Sequence, residues 1–158
     1  MPVQKLQKMG LEKEINQQKP FPNSRFKAIV NVIYTYHWTT DRLKKLFMRQ
    51  NLTMQQYNIL RILRGNKGPM SIQTIRSRML DKMSDTSRLV DRLVRKSLVK
   101  KKLSEHDRRQ ADISITRKGL ELLGQIDGYD REITALYAGL TDREAQLLNR
   151  LLDKIRNP

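Results

Sequence analysis

The sequence contains no cysteine, which excludes disulfides, thiolate metal ligands and thiol redox chemistry. Histidine is almost as scarce, with only His37 and His106 present. Neither a His-Glu-x-x-His pair nor a glycine-rich phosphate loop occurs, and Gly65-Asn66-Lys67-Gly68 is short enough to read as a turn. Catalytic residues, a metal site and a cofactor are therefore not expected, and the chain reads as something other than an enzyme. No apolar run reaches the length of a membrane span. The first 24 residues alternate Lys, Gln and Glu with isolated apolar side chains and lack the apolar core of a signal peptide. The expected location is the cytoplasm, with no membrane partner.

Negative charge is the other scarcity. Asp and Glu number 16 against 32 Lys and Arg in 158 residues, a formal charge of +16. Such a charge destabilises the compact state by self-repulsion unless an anionic partner neutralises it, and nucleic acid is the obvious partner. The excess is uneven. Residues 1–70 carry 13 basic and 3 acidic side chains, residues 71–120 carry 14 and 6, and residues 121–158 carry 5 and 7. A basic body with a slightly acidic end assigns the end to something other than phosphate. The length corresponds to one domain able to bury a core without metals.

Periodicity divides the chain. Residues 1–24 form a polar extension closed by Pro20-Phe21-Pro22-Asn23, where two prolines remove backbone donors and disfavour helix. The single domain then spans 25–156. Phe26, Ile29, Val30, Ile33, Tyr36, His37, Leu43 and Phe47 follow a 3.6-residue period and predict a long amphipathic helix from about Ser24 to Arg49. Thr53 and Gln56 have capping-box spacing, and Tyr57, Leu60 and Leu63 continue a second helix up to Gly65 and Gly68. Ser71 is placed to cap a short third helix with Ile72, Ile75, Met79 and Leu80 on one face. After a tight turn, Ser84 is the expected N-cap of a helix buried through Leu89, Val90, Leu93 and Val94.

Leu98–Lys102 and Ala111–Thr116 alternate as strands of a hairpin with a polar tip. Thr116 opens a further helical pattern, weakened at Gly124 and Gly128 by about 1 kcal/mol each. Thr141 and Glu144 form a second capping box before a last helix carrying Leu147, Leu148, Leu151, Leu152 and Ile155. The fold class is thus mainly α with a small β-hairpin wing: a winged helix-turn-helix lobe at about 53–116. The N- and C-terminal helices, about 25–49 and 117–156, supply a helical dimerisation region.

In that arrangement the helix after the tight turn enters the major groove. Opposite its apolar stripe stand Thr86, Ser87, Arg88, Arg92, Arg95 and Lys96. Short hydroxyls near the positive helix end suit base edges or phosphate, and arginine forks onto guanine. Residues 88–109 hold nine Lys and Arg against three Asp and Glu, so the basic stretch continues through Lys101 and Lys102 to the hairpin tip. There Arg108 and Arg109 have the reach to enter a narrow minor groove. An ordinary solvated helix face is the alternative for any one of these elements, but charge continuous across three is less easily coincidental.

Three stretches resemble the MarR family of regulators: Leu52-Thr53-Met54-Gln55-Gln56-Tyr57-Asn58-Ile59-Leu60, Ser87-Arg88-Leu89-Val90-Asp91-Arg92-Leu93, and Asp107-Arg108-Arg109 followed by Ile113-Ser114-Ile115-Thr116-Arg117-Lys118-Gly119. The last matches the family's wing pattern and is the most specific. The resemblance covers about residues 25–156. It implies a homodimer interlocked through the first and last two helices, a major-groove helix starting near Ser84, and Arg109 in the minor groove. Two positions depart from the family: Ser97 stands where Gly is usual after the recognition helix, and Ile115 replaces Leu. Ser97 must adopt a left-handed conformation or leave the helix by another route.

The resemblance makes the chain a sequence-specific double-stranded-DNA-binding regulator, a repressor on a palindromic operator. The rival reading is a sequence-independent architectural DNA- or RNA-binding protein, since charge alone binds any polyanion. Family members are often released from DNA by a small aromatic or anionic ligand. Tyr34, His37 and Trp38, with Tyr36, form an aromatic patch suited to such a cleft, although core and interface packing is the more usual role of aromatics at helical spacing.

Overall fold

The computed structural model describes residues 10–104 and 110–157. They fall into two compact units that divide after Arg42. In the first, α1 is a single turn, Leu11–Glu14, with Leu11 buried. Asn23 caps the long helix α2, Ser24–Met48, its Oδ1 accepting the Phe26 N–H at 2.9 Å. Lys27 pairs with Glu12 at 2.6 Å. The apolar stripe expected on α2 is present but uncovered: Phe26, Ile29, Ile33 and Tyr36 are half or more exposed.

The second unit begins with the end of α2, where Leu46 and Phe47 are buried. Asn51 closes that helix in the left-handed region, φ 53°. Short polar residues tolerate this conformation through local hydrogen bonding. Helix α3, Met54–Arg64, starts with the predicted capping box: Thr53 Oγ1 accepts the Gln56 N–H at 3.1 Å and Gln56 Oε1 accepts the Thr53 N–H at 3.2 Å. Ile59, Leu60 and Leu63 bury its apolar face. Strand β1, Met70–Ser71, follows, and Ser71 Oγ caps helix α4, Ile72–Arg78, accepting the Thr74 N–H at 3.1 Å.

Helix α5 runs Thr86–Arg95, strands β2 and β3 run Val99–Leu103 and Ala111–Ile115, and helices α6, α7 and α8 span Arg117–Asp127, Asp130–Ala135 and Asp142–Arg156. The three antiparallel strands lie in the order β1-β3-β2. Ile75, Val90, Leu93, Ile113, Leu123 and Ile126 are fully buried at the centre of this unit. Each such side chain contributes roughly 1.5–3 kcal/mol relative to exposure.

Four expectations are corrected. The sheet has a third strand, β1, too short to show a period. Leu80 does not share the buried face of α4. The helix ends at Met79, whose ψ of 140° turns the chain, and Leu80 is 85% exposed. Asp85, not Ser84, caps α5, accepting the Arg88 N–H at 3.1 Å, so the helix starts at Thr86. The helical pattern between Thr116 and Thr141 is two elements, α6 and α7: Gly124 is accommodated inside α6, whereas Gly128 ends it. Thr141 and Glu144 form the predicted capping box of α8.

Candidate nucleic-acid interface

Helix α5 is held from both ends. At its C-terminus Ser97 takes the left-handed conformation, φ 60°. The Leu98 N–H then reaches the Leu93 carbonyl at 3.0 Å and the Ser97 N–H the Val94 carbonyl at 2.8 Å. These two bonds, with buried Leu98 against buried Leu93, form the usual closure of a glycine-terminated helix, here made by serine. Of the two routes open to Ser97, it takes the strained one.

Lys96, the C-cap of α5, sends its Nζ to the Asn51 carbonyl and to Gln56 Oε1, the latter at 3.3 Å. Burial pushes its pKa down. It is a tether between α5 and the start of α3, not a cation displayed to a ligand. Lys118 Nζ in turn donates to the Lys96 carbonyl at 3.1 Å.

The wing is locked beside it. Thr116 Oγ1 accepts the Gly119 N–H at 3.1 Å and donates to the Ser97 carbonyl at 2.8 Å. Gly119 packs so closely that a Cβ would lie 2.4 Å from the Leu98 carbonyl oxygen and 2.7 Å from Ile115 Cγ1. Pairing of Val99 with Ile115 and of Lys101 with Ile113 puts Lys101 on the core-side face of the hairpin. There it meets Asp91 of α5 at 3.2 Å. Lys102, opposite Asp112, lies on the other face, because strand side chains alternate.

The candidate residues therefore separate. Ser87, Arg88 and Arg92 are exposed on α5. Arg88 packs its Nε 3.2 Å from Asp85 yet keeps 82% of its side chain in solvent. Thr86 is only 3% exposed, its hydroxyl turned toward the Ser84 carbonyl at 3.5 Å, so it faces inward. Ser84 is half-buried and donates to Asp81 Oδ2 at 2.8 Å. Arg108 and Arg109 lie outside the described residues.

Sequence reasoning missed a concavity of about 590 Å³ bounded by α4, the turn, the start of α5 and the base of β3. Gln73 and Arg76 of α4 line it together with Ser84, Thr86, Ser87 and Gln110, so α4 contributes as well as α5, and Ser84 and the little-exposed Thr86 share this wall with Ser87. The signal was available in the polar, exposed positions of α4 but looks like any solvated helix face until β3 is brought alongside.

The aromatic patch stays on α2. Trp38 is half-buried under the Arg42 guanidinium, 3.8 Å from the ring centroid, and His37 is exposed, edge-on to Tyr36 at 5.3 Å. Burial raises the Tyr34 phenol above its ordinary pKa, with a hydrogen bond to Glu14 adding to it. Among the described residues there is no cluster of three or more metal-ligating acids or histidines, and no helix long and apolar enough to cross a membrane.

The MarR family model matches residues 50–110, the stretch from the start of α3 to the base of β3. The chain is 29% identical over 117 residues to the transcriptional repressor IacR of Pseudomonas putida, covering 73% of this chain and 70% of the relative. It is 26% identical over 130 residues to the transcriptional regulator MhqR of Bacillus subtilis, covering 82% and 89%. Among solved structures, an organohalide-sensing transcriptional regulator with 2,4-dichlorophenol bound superimposes with a TM-score of 0.78 at 20% identity, over 89% of this chain and 86% of that one.

Proposed function

We propose that this chain, whose residues 50–110 match the MarR family model, is a homodimeric repressor that reads a palindromic operator in double-stranded DNA. The observation that carries this reading is the exposed polar face of α5. Ser87, Arg88 and Arg92 point outward from a helix whose opposite face is anchored in the core. A rigid helix with hydroxyl and guanidinium groups at its entry end suits base edges in the major groove. Lys102 and the wing arginines Arg108 and Arg109 supply phosphate and minor-groove contacts.

Dimerisation is supported by apolar surface that one chain leaves in water. The α2 stripe is exposed, and α8 has no buried residue although Leu147, Leu151 and Ile155 recur at helical spacing. Contiguous exposed apolar stripes of this kind mark association surfaces. A two-fold dimer sets its recognition helices about 34–36 Å apart, one duplex turn, which is why the operator is palindromic.

A structural neighbour binds 2,4-dichlorophenol. A small aromatic or anionic ligand acting on this chain through Tyr34, His37 and Trp38 is the corresponding regulatory reading. An enzymatic role has no support in its residues.

The experiment is competition among random duplex DNA, duplex RNA and the promoter beside the chain's own gene at near-physiological salt. Preference for one DNA sequence is expected. Equal affinities would replace this reading with the sequence-independent architectural or RNA-binding one.

A further inference from the structure

The turn between α4 and α5 exposes apolar side chains immediately before the basic stretch that begins at Arg88. Met83 is 93% exposed, the highest value for a large apolar side chain among the described residues, and Leu80 is 85% exposed. The turn is rigidly specified. Asn58 Oδ1 accepts the Leu80 N–H at 2.9 Å, and Asp81 accepts the Met83 N–H at 3.0 Å and the Ser84 hydroxyl at 2.8 Å. Lys82 Nζ donates to the Ser77 carbonyl at 2.5 Å. The donated hydrogen bonds of Ser84 and Met83 hold the Asp81 carboxyl below the usual range, so this clamp stays ionised at neutral pH. Four side-chain bonds thus fix a backbone whose effect is to hold Met83 in solvent.

Met83 also lines the concavity beside the entry end of α5, next to Arg76 and Ser87. Its neighbours decide the occupant. Arg76 lines the same concavity and carries no ion pair among the described residues, Arg88 one turn into α5 keeps 82% of its side chain in solvent beside Asp85, and the carboxylates of Asp81 and Asp85 are engaged by intrachain donors. A polyanion is the charge complement of this patch. The apolar feature that a DNA major groove presents is the thymine 5-methyl group. A thioether on a flexible stem packs well against such a small, irregular target.

We propose that Met83 is a specificity-determining residue that reads a thymine methyl group at the position where α5 enters the major groove. This rests on the DNA-reading role given above and extends its code from hydrogen bonding on α5 to apolar contact from the turn before it.

The test is methyl deletion. Preferred sites are selected from a random duplex pool with the full-length chain, and each thymine is then replaced singly by deoxyuridine. Against wild type, one thymine per half-site should lose about fourfold in affinity on demethylation, the value of one buried methyl at ~0.8 kcal/mol. Met83→Ala should bind the thymine and deoxyuridine sites equally, and Met83→Leu should retain the discrimination. Because Met83 contributes nothing to the core, both variants should fold as wild type does.

Discrimination that persists in Met83→Ala, or that vanishes only in Leu80→Ala, overturns the assignment. So does a wild type that selects a sequence yet ignores every thymine methyl, which would leave the exposed pair to a protein partner. If no preferred sequence emerges at all, the underlying DNA-reading role fails first, a different result from any of these.

Discussion

Ser97 and Gly119 are a contrasting pair, a residue where glycine would relieve strain and a glycine whose replacement would crowd its neighbours. Ser97 sits at φ 60° with its side chain in solvent. A non-glycine residue there costs roughly 1–2 kcal/mol, of which glycine returns part as greater unfolded-state entropy. Ser97→Gly should therefore stabilise the protein by about 0.5–1 kcal/mol in urea unfolding. A loss of stability would mean that the serine hydroxyl makes a compensating contact. Gly119→Ala works the other way. Its Cβ would enter the space of the Leu98 carbonyl and Ile115, both held by the sheet and by Thr116. A cost of about 1–3 kcal/mol is expected, the usual range for overpacking. An alanine variant as stable as wild type would show that the hairpin closure yields easily.

Between elements, two ties make separate predictions. Lys101 of β2 pairs with Asp91 of α5, whereas Lys102 lies on the opposite face. Lys102→Met should weaken all DNA sequences alike and reduce the slope of log affinity against log salt by about 0.9. Asp91→Asn should reproduce the sequence dependence of Lys101→Met, because both release the same helix-to-wing tie. Unrelated effects would detach Lys101 from that role.

The second tie joins α3 to α6, with Arg64 Nη1 2.6 Å from Asp127 Oδ2. This hydrogen bond holds the Asp127 carboxyl below its usual range. A lowered carboxylate pKa contributes stability that is complete above the unfolded value of about 3.9 and is lost as pH falls through the folded value. Wild type should therefore lose stability below about pH 4, with Asp127→Asn showing a shallower fall and, since both partners are partly exposed, a deficit under about 1 kcal/mol at neutral pH. An equal acid slope in both proteins would remove Asp127 from the account. Elements like these were largely legible in the sequence where the signal is local. The caps at Thr53, Ser71, Thr116 and Thr141 each act over three residues. What escaped is non-local or a matter of phase. Strand β1 exists only because Met70 pairs with Ile113. Ser84 and Asp85 are both capable caps, and only the path of the preceding turn chooses between them. Thr86 faces inward because neighbouring helical positions differ by about 100° in direction.

At the scale of the whole molecule, charge and apolar exposure oppose each other. Each chain carries a formal charge of +16, so two chains brought together repel unless salt or DNA intervenes. Yet no residue of α8 is fully buried within its own chain, its Leu147, Leu151 and Ile155 stay exposed, and the α2 stripe is likewise uncovered. Burying such stripes gives roughly 25 cal/mol for each Å² of apolar surface removed from water, a term that salt does not screen. Association should then respond to salt in the sense opposite to DNA binding. Raising ionic strength should preserve or tighten the dimer by screening its self-repulsion, while it loosens DNA by counterion competition. Because folding is linked to association, the thermal midpoint should also rise with protein concentration at fixed salt. Sedimentation and thermal unfolding across a range of salt and protein concentrations check both expectations. A midpoint independent of concentration, or a sedimenting species of single-chain mass at micromolar concentration, would leave the exposed stripes without a second copy to cover them and remove the geometric basis for a palindromic site.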